Sequence, residues 1–128
     1  MKVLLDTHAL IWWLDDDRRL SRRARTVIAG PRTTVLVSSA SAWEMATKVR
    51  LGKLRDPEGA VRRLSALLLE RGFTELPVTV DHAVEAGLLP TDHRDPFDRM
   101  LMAQSRVERV PVVTNDRVFR DGGVKTVW

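Results

Sequence analysis

The amino-acid order predicts an α/β fold, a mostly parallel sheet with helices on both faces. Three observations carry that prediction. Short apolar runs with the length and branching of buried strands recur at Val3–Asp6, Thr33–Ser38 and Val110–Thr114. Segments with helical spacing of apolar residues separate them, and such alternation is the pattern of a parallel sheet. Two of the runs also stop abruptly at polar residues that include an acid, Leu4-Leu5-Asp6-Thr7 and Val113-Thr114-Asn115-Asp116. In an open α/β sheet the carboxyl ends of the strands are where ligands bind.

The chain has 128 residues, the size of one domain, and residues 1–128 read as a single domain. With 44 % apolar and 30 % charged residues it fits an ordinary globular protein. No apolar run approaches the roughly 18 residues that span a bilayer. Met-Lys, three apolar residues and then Asp6 do not make a signal peptide. There is no cysteine, so disulfides and thiolate metal sites are excluded and a cytoplasmic location is expected. The formal net charge of +4 and a pI near 10.3 suit a polyanionic partner, above all nucleic acid. Neither a zinc-finger spacing nor a glycine-rich phosphate loop is present.

Each element has a local reason. Ala9–Leu14 follows the first strand as a short helix, on which Trp12 and Trp13 lie about 100° apart and so cannot both face inward. They read as core-edge residues or as contacts for a partner. Asp15-Asp16-Asp17 reads as a solvated turn. Leu20–Ala29 is the next helix, with Ser21 near its start and a basic face from Arg18 to Arg25. Gly30-Pro31 ends it. After the Thr33–Ser38 strand, Ser41 to Leu51 is helical and Gly52 stops it. Ser41-x-x-Glu44 matches a capping box. Asp56-Pro57 opens a helix that runs through Leu69 and ends near Gly72, with Asp as cap and Pro at its first position. Phe73–Val80 holds a short strand that Pro77 places at an edge or interrupts. Asp81 caps a helix to Leu89, and Leu89–Asp95 is a loop. Asp95-Pro96 opens a helix that is apolar on all sides at Met100–Ala103, hence buried. Asp121-Gly122-Gly123 is a turn before a last strand, Val124–Trp128.

The acids gain meaning as a set. Asp6 and Asp116 follow strands, while Glu44 and Asp98 fall in the first turns of the predicted helices. If the first strand and the Val110–Thr114 strand are neighbours, all four meet at one edge of the sheet. Taken alone, Asp6 and Glu44 read first as helix-capping residues, a capping role is also available to Asp98, and for Asp95 the cap is the preferred reading. Two carboxylates about 4 Å apart repel by about 4 kcal/mol at an effective dielectric of about 20. Such a cluster calls for a cation or for protons. An all-oxygen donor set suits Mg²⁺ or Mn²⁺ rather than Zn²⁺. A carboxylate-held divalent ion ringed by basic residues is a phosphate-handling site, and nuclease chemistry follows from it.

These residues resemble those of a known family. Leu4-Leu5-Asp6-Thr7-His8, Ser41-Ala42-Trp43-Glu44 with Lys48 and Gly52-Lys53-Leu54, His93-Arg94-Asp95-Pro96-Phe97-Asp98-Arg99 with Ala103-Gln104, and Thr114-Asn115-Asp116 occur in that order. The chain resembles, over essentially its whole length, PIN-domain proteins of the VapC-like toxin ribonuclease group of bacterial toxin–antitoxin pairs. The resemblance implies a three-layer α/β/α fold around a five-stranded parallel sheet and an Mg²⁺- or Mn²⁺-dependent endoribonuclease. It implies Asp6, Glu44, Asp98 and Asp116 as the catalytic acids. Asp6, Asp98 and Asp116 then hold metal, and Glu44 binds through water or orients the attacking water. Thr7, Thr114, Asn115 and Asp95 support them. His93, Arg94, Lys48, Arg50, Trp12 and Trp13 are available to RNA or to a partner. A homodimer and a cognate antitoxin are also implied.

Three other readings compete. An aspartyl phosphatase needs a second Asp two residues after the first, where this chain has His8. A receiver-like signalling domain needs paired acids before the strand-end Asp, and none are present. A binding module whose acids are only caps predicts that no divalent ion binds.

Overall fold

The computed structural model describes all residues, Met1–Trp128. Five strands, β1 (Lys2–Leu5), β2 (Thr34–Ser38), β3 (Thr74–Leu76), β4 (Val112–Val113) and β5 (Thr126–Val127), form one sheet in the order β3-β2-β1-β4-β5. Every pairing is parallel, so all carboxyl ends share one edge. β1 is central, with Val3, Leu4 and Leu5 fully buried. A strand covered on both faces needs such an unbroken apolar run, and each buried Leu contributes about 1.5–3 kcal/mol.

Alternation along the strands divides the core in two. Val3, Leu5, Val35, Val37, Val113 and Val127 point to one face, while Leu4, Leu36, Leu76 and Val112 point to the other. The first face is covered by α1 (Thr7–Leu14), α2 (Arg22–Ala29) and α4 (Leu64–Glu70), through Ala9, Leu10, Ala24, Ile28, Leu64 and Leu68. The second is covered by α5 (Val80–Leu88), α6 (Pro96–Glu108) and α7 (Arg117–Asp121), with Leu101, Met102 and Ala103 of α6 wholly inside. α3 (Ser39–Arg50) packs on both α1 and α6 and sends Met45 into the first core. The layering is therefore α/β/α, as expected. No helix is long and apolar enough to cross a membrane.

Several elements differ from the sequence reading, each for a local reason. α1 begins at Thr7 rather than Ala9, because Asp6 caps it. α3 begins at Ser39 rather than Ser41, because β2 runs straight into it and the Ser38 hydroxyl accepts from Ala40 N. The helix expected from Pro57 to near Gly72 is broken: a 3₁₀ segment, Pro57–Arg63, carries Glu58 at φ 55° and Gly59 at φ 66°, and α4 follows. α5 is capped by Thr79 rather than Asp81, with Thr79 Oγ1 accepting from His82 N and His82 Nδ1 accepting from Thr79 N. β3 stops one residue before Pro77 and lies at the sheet edge, where a proline is tolerated. The last two strands shrink to two residues each, and α7, between them, was not anticipated.

Candidate active site

The carboxyl edge of the sheet gathers buried polar side chains, among them Asp6, Thr7, Ser41, Glu44 and Thr114. Asp6 leaves β1 and turns back over α1, where its Oδ1 accepts from Ala9 N at 2.7 Å. Its Oδ2 accepts from the Thr114 hydroxyl at the end of β4. Thr114 Oγ1 in turn accepts from Asp116 N at 3.0 Å, so this one hydroxyl joins both strand ends. Asp6 is only 5 % exposed. Burial pushes its carboxyl up to about 6, against the Thr114 and Ala9 hydrogen bonds and the nearby His8, and the charge of Asp98 adds to the rise.

Asp98 is at the third position of α6. Asp95 caps that helix, its Oδ1 accepting from Phe97 N and Asp98 N. That cap places Asp98 at the helix mouth without occupying it. Its Oδ2 is bonded to His93 Nε2 at 2.9 Å. Burial raises the Asp98 carboxyl above the usual range; His93 opposes the rise, while Asp95 and Glu44 add to it. The Thr7–Ser41 hydrogen bond ties α1 to α3 and the Trp43–Phe97 contact ties α3 to α6, so Asp6, Glu44 and Asp98 stand on adjoining elements and feel one another's charge.

Glu44 is not a capping residue. The α3 cap is Ser38, six residues earlier, so the Ser41-x-x-Glu44 pattern has no helix start to serve. Its Oε2 pairs with Lys48 Nζ at 2.8 Å, one turn on. Its Oε1 is buried with no hydrogen-bond partner. An unpaired buried carboxylate oxygen costs stability of order 1–3 kcal/mol or more, and a ligand or water is the usual explanation.

Asp116 is placed differently. It is exposed, and its Oδ1 accepts from Val118 N as the cap of α7. Its backbone is tied to the patch through Thr114. Asn115 is exposed beside it. Thr7 is buried and donates to Ser41 Oγ at 3.0 Å, fastening α1 to α3 below the acids. Arg94 and Arg50 are exposed. Trp12 and Trp13 are half-buried. Trp12 packs on His8 and Trp128 under the Arg19 guanidinium, and Trp13 packs on Phe73.

Four residues of the quoted motifs have roles that the sequence does not reveal. Ser41 is the partner of Thr7, not a capping residue. Arg99 stretches its guanidinium across the carbonyls of Ala86, Leu89, Thr91 and His93, at 2.8–3.1 Å, and so shapes the 89–95 loop that brings His93 to Asp98. Trp43 and Phe97 meet edge to face, centroids 5.0 Å apart, each directly before a patch acid in sequence. That adjacency, Trp43-Glu44 and Phe97-Asp98, is the signal that identifies them.

The donor chemistry suits a hard divalent ion, because every candidate ligand is a carboxylate oxygen and one of them is orphaned. No group of three or more His, Asp or Glu side chains stands close enough together to hold one ion between them. The set therefore fits an ion taking one or two carboxylates directly and the rest of its shell from water, which is how Mg²⁺ ordinarily binds.

Known proteins share this architecture. VapBC2 from Rickettsia felis, crystallised with a DNA fragment of its promoter, superposes with a TM-score of 0.72 at 14 % identity, over 98 % of this chain and 97 % of that one. VapC20 from Mycobacterium tuberculosis, a sarcin–ricin-loop-cleaving toxin, gives 0.68 at 20 % identity, over 95 % of both chains. DNA-bound VapBC from Salmonella typhimurium gives 0.66 at 18 % identity, over 98 % and 96 %. At such identities the likeness is one of fold. Ribonuclease VapC16 from Mycobacterium tuberculosis is 39 % identical over 59 residues, which span 46 % of this chain and only 40 % of that protein. The family model described as PIN domain matches residues 3–125. Five parallel strands, the acid-bearing carboxyl edge and that match give one conclusion: the chain belongs to the PIN domain family.

Proposed function

We propose that this protein is a divalent-metal-dependent endoribonuclease, the toxin of a toxin–antitoxin pair, acting in the cytoplasm. The observation that carries the reading is the patch formed by Asp6, Glu44 and Asp98, in which two carboxylates are pushed toward protonation and the third has an orphaned oxygen. The ribonuclease name of the sequence relative and the toxin–antitoxin assemblies among the structural neighbours support it.

Asp6 and Asp98 would hold an ion, Mg²⁺ or Mn²⁺, directly, and Asp116 at the next strand end would reach its shell through water. Bound there, such an ion would supply a more acidic water and charge stabilisation at a phosphoryl oxygen. Glu44 Oε1 accepts a proton of the attacking water, while Lys48 keeps the other oxygen occupied. Thr114 and the Ala9 amide fix the direction of the Asp6 carboxylate, and His93 fixes that of Asp98. The net positive charge draws the RNA backbone in. In the pair, a homodimer of this chain is held inactive by its antitoxin. An apolar cavity of about 230 Å³ between α1, α3 and the 3₁₀ segment, lined by Ile11, Met45, Val49, Leu54 and Val61, offers that partner an anchor apart from the acids.

The test is cleavage of a mixed RNA pool by the purified protein with Mn²⁺, with EDTA, and with Asp6→Asn. Cleavage only with Mn²⁺, lost in a variant of unchanged circular dichroism, is the expected result. The competing reading has one observation in its favour: Asp6, Asp95 and Asp116 do cap helices. A folded protein that binds no divalent ion in calorimetry would return the acids to that role.

A further inference from the structure

Of seven aromatic Trp and Phe side chains, six are buried or half-buried. Trp43 alone is exposed, at 65 %. The other large exposed apolar residues are aliphatic and, apart from Met1, Leu51 and Leu69, lie on or next to α5 and α6, as Val78, Val80, Val84, Leu88 and Val107 do; singly placed, such residues are normal on a protein surface. Trp43 differs in being pinned. Its ring meets Phe97 at 5.0 Å and 78°, a T-shaped contact that fixes its plane without covering it. The pair joins α3 to α6 where those helices also present Glu44 and Asp98. Successive residues on a helix are about 100° apart, so each helix turns an acid into the patch and an aromatic ring onto its rim.

We propose that Trp43, braced by Phe97, is a stacking platform for a nucleobase of single-stranded RNA next to the phosphate held at the acid patch. The inference rests on the nuclease reading and adds the part of the substrate that the acids do not touch. An unstacked base offers a flat apolar face to any aromatic ring, a contact that is tolerant of sequence. The ring belongs to the residue directly before Glu44, and two elements that meet at it carry exposed cations: Arg50, about two turns further along α3, and Arg94 on the loop before α6. A base there anchors the strand while the phosphate one step along meets the carboxylates.

The experiment is binding of a labelled single-stranded oligoribonucleotide with Ca²⁺ in place of Mn²⁺, so that the acid patch carries a cation, with the strand checked for integrity afterwards. The protein is compared with Trp43→Ala and Trp43→Phe, and against a ribose–phosphate oligomer of the same length lacking bases. Trp43→Ala is expected to weaken RNA binding about 5- to 100-fold, with the salt dependence unchanged. Trp43→Phe is expected to keep most of it, and the baseless oligomer to bind the protein and Trp43→Ala alike. Equal RNA affinity of Trp43→Ala and the parent overturns the platform, as does failure of the parent to bind RNA. A Trp43→Ala protein that loses only its dimer in sedimentation, with RNA affinity intact, gives the ring to a contact between copies and overturns it too. Cleavage in Mn²⁺ is scored separately. RNA binding that depends on Trp43 without cleavage sinks the nuclease reading and leaves the platform; cleavage indifferent to Trp43 does the reverse.

Discussion

At the end of β1 the acid follows the last strand residue directly, whereas at the end of β4 Thr114 and Asn115 come first and the acid third. Leu5 pairs with Val113, so Asp6 and Thr114 stand at the same level of neighbouring strands. Asp6 N reaches Val113 O and Thr114 N reaches Val127 O, each at 3.1 Å. A carboxylate at that level is walled in by both helical layers and is pushed toward protonation. Two residues further on, Asp116 is in solvent. Both acids cap a helix, yet only one carries the cost of burial. The lesson is that strand-end grammar identifies an edge, and the offset from the last paired residue decides whether an acid there is strained or at ease.

The contrast can be broken most sharply by activity. Asp6→Asn is expected to cut Mn²⁺-dependent RNA cleavage by about 10²-fold or more, and Asp116→Asn by about tenfold or less. Equal losses would show that burial does not rank the two acids. Thr114→Val comes next, with a fall of about 10- to 100-fold, the usual cost of losing a group that orients a ligand. Because the lost hydroxyl was lowering the Asp6 pKa, the variant's pH–rate profile should move to higher pH; an unmoved profile would detach Thr114 from Asp6.

Stability sharpens the same contrast with the opposite sign. Asp6 titrates at about 6 in the folded protein and near its ordinary value of 3.8 when unfolded. Below pH 3.8 both states hold the proton and nothing is at stake. Between 3.8 and 6 the unfolded chain releases it first, so the penalty on folding grows with pH and is complete above 6. Asp6→Asn should therefore stabilise the metal-free protein at pH 7 by about 1–3 kcal/mol and lose that advantage near pH 4, read from urea midpoints. Asp116→Ala, which only uncaps α7, should cost about 1 kcal/mol or less at either pH.

Much of this arrangement was legible in the chain. The apolar runs placed β1, β2 and β4, and their common direction placed the edge. Asp95-Pro96 marked the start of α6 to the residue. The sequence reading failed where several residues of one type compete. Ser38, Ser39 and Ser41 can all cap, and the choice of Ser38 is made by where β2 stops pairing, which is a tertiary fact. That choice moved Glu44 from the first turn to the second and took away its capping role. Asp81 lost the α5 cap to Thr79 because the buried His82 completes the reciprocal bond. α7 is five residues long, too short for a periodic signal. The reach of His93 to Asp98 depends on a loop shaped by the Arg99 guanidinium, and no spacing rule encodes that.

The hydroxyl that steadies Asp6 lies 108 residues further along the chain. During synthesis at about 5–20 residues per second, Asp6 is added to the chain about 5–20 s before Thr114. Over that interval β1 has no β4 beside it, and parallel pairings so distant in sequence form late. The acid edge is thus complete only once Thr114 has joined Asp6. A nascent chain still attached to its own messenger holds the first acid of the cutting site and none of the scaffold that gives that acid its character.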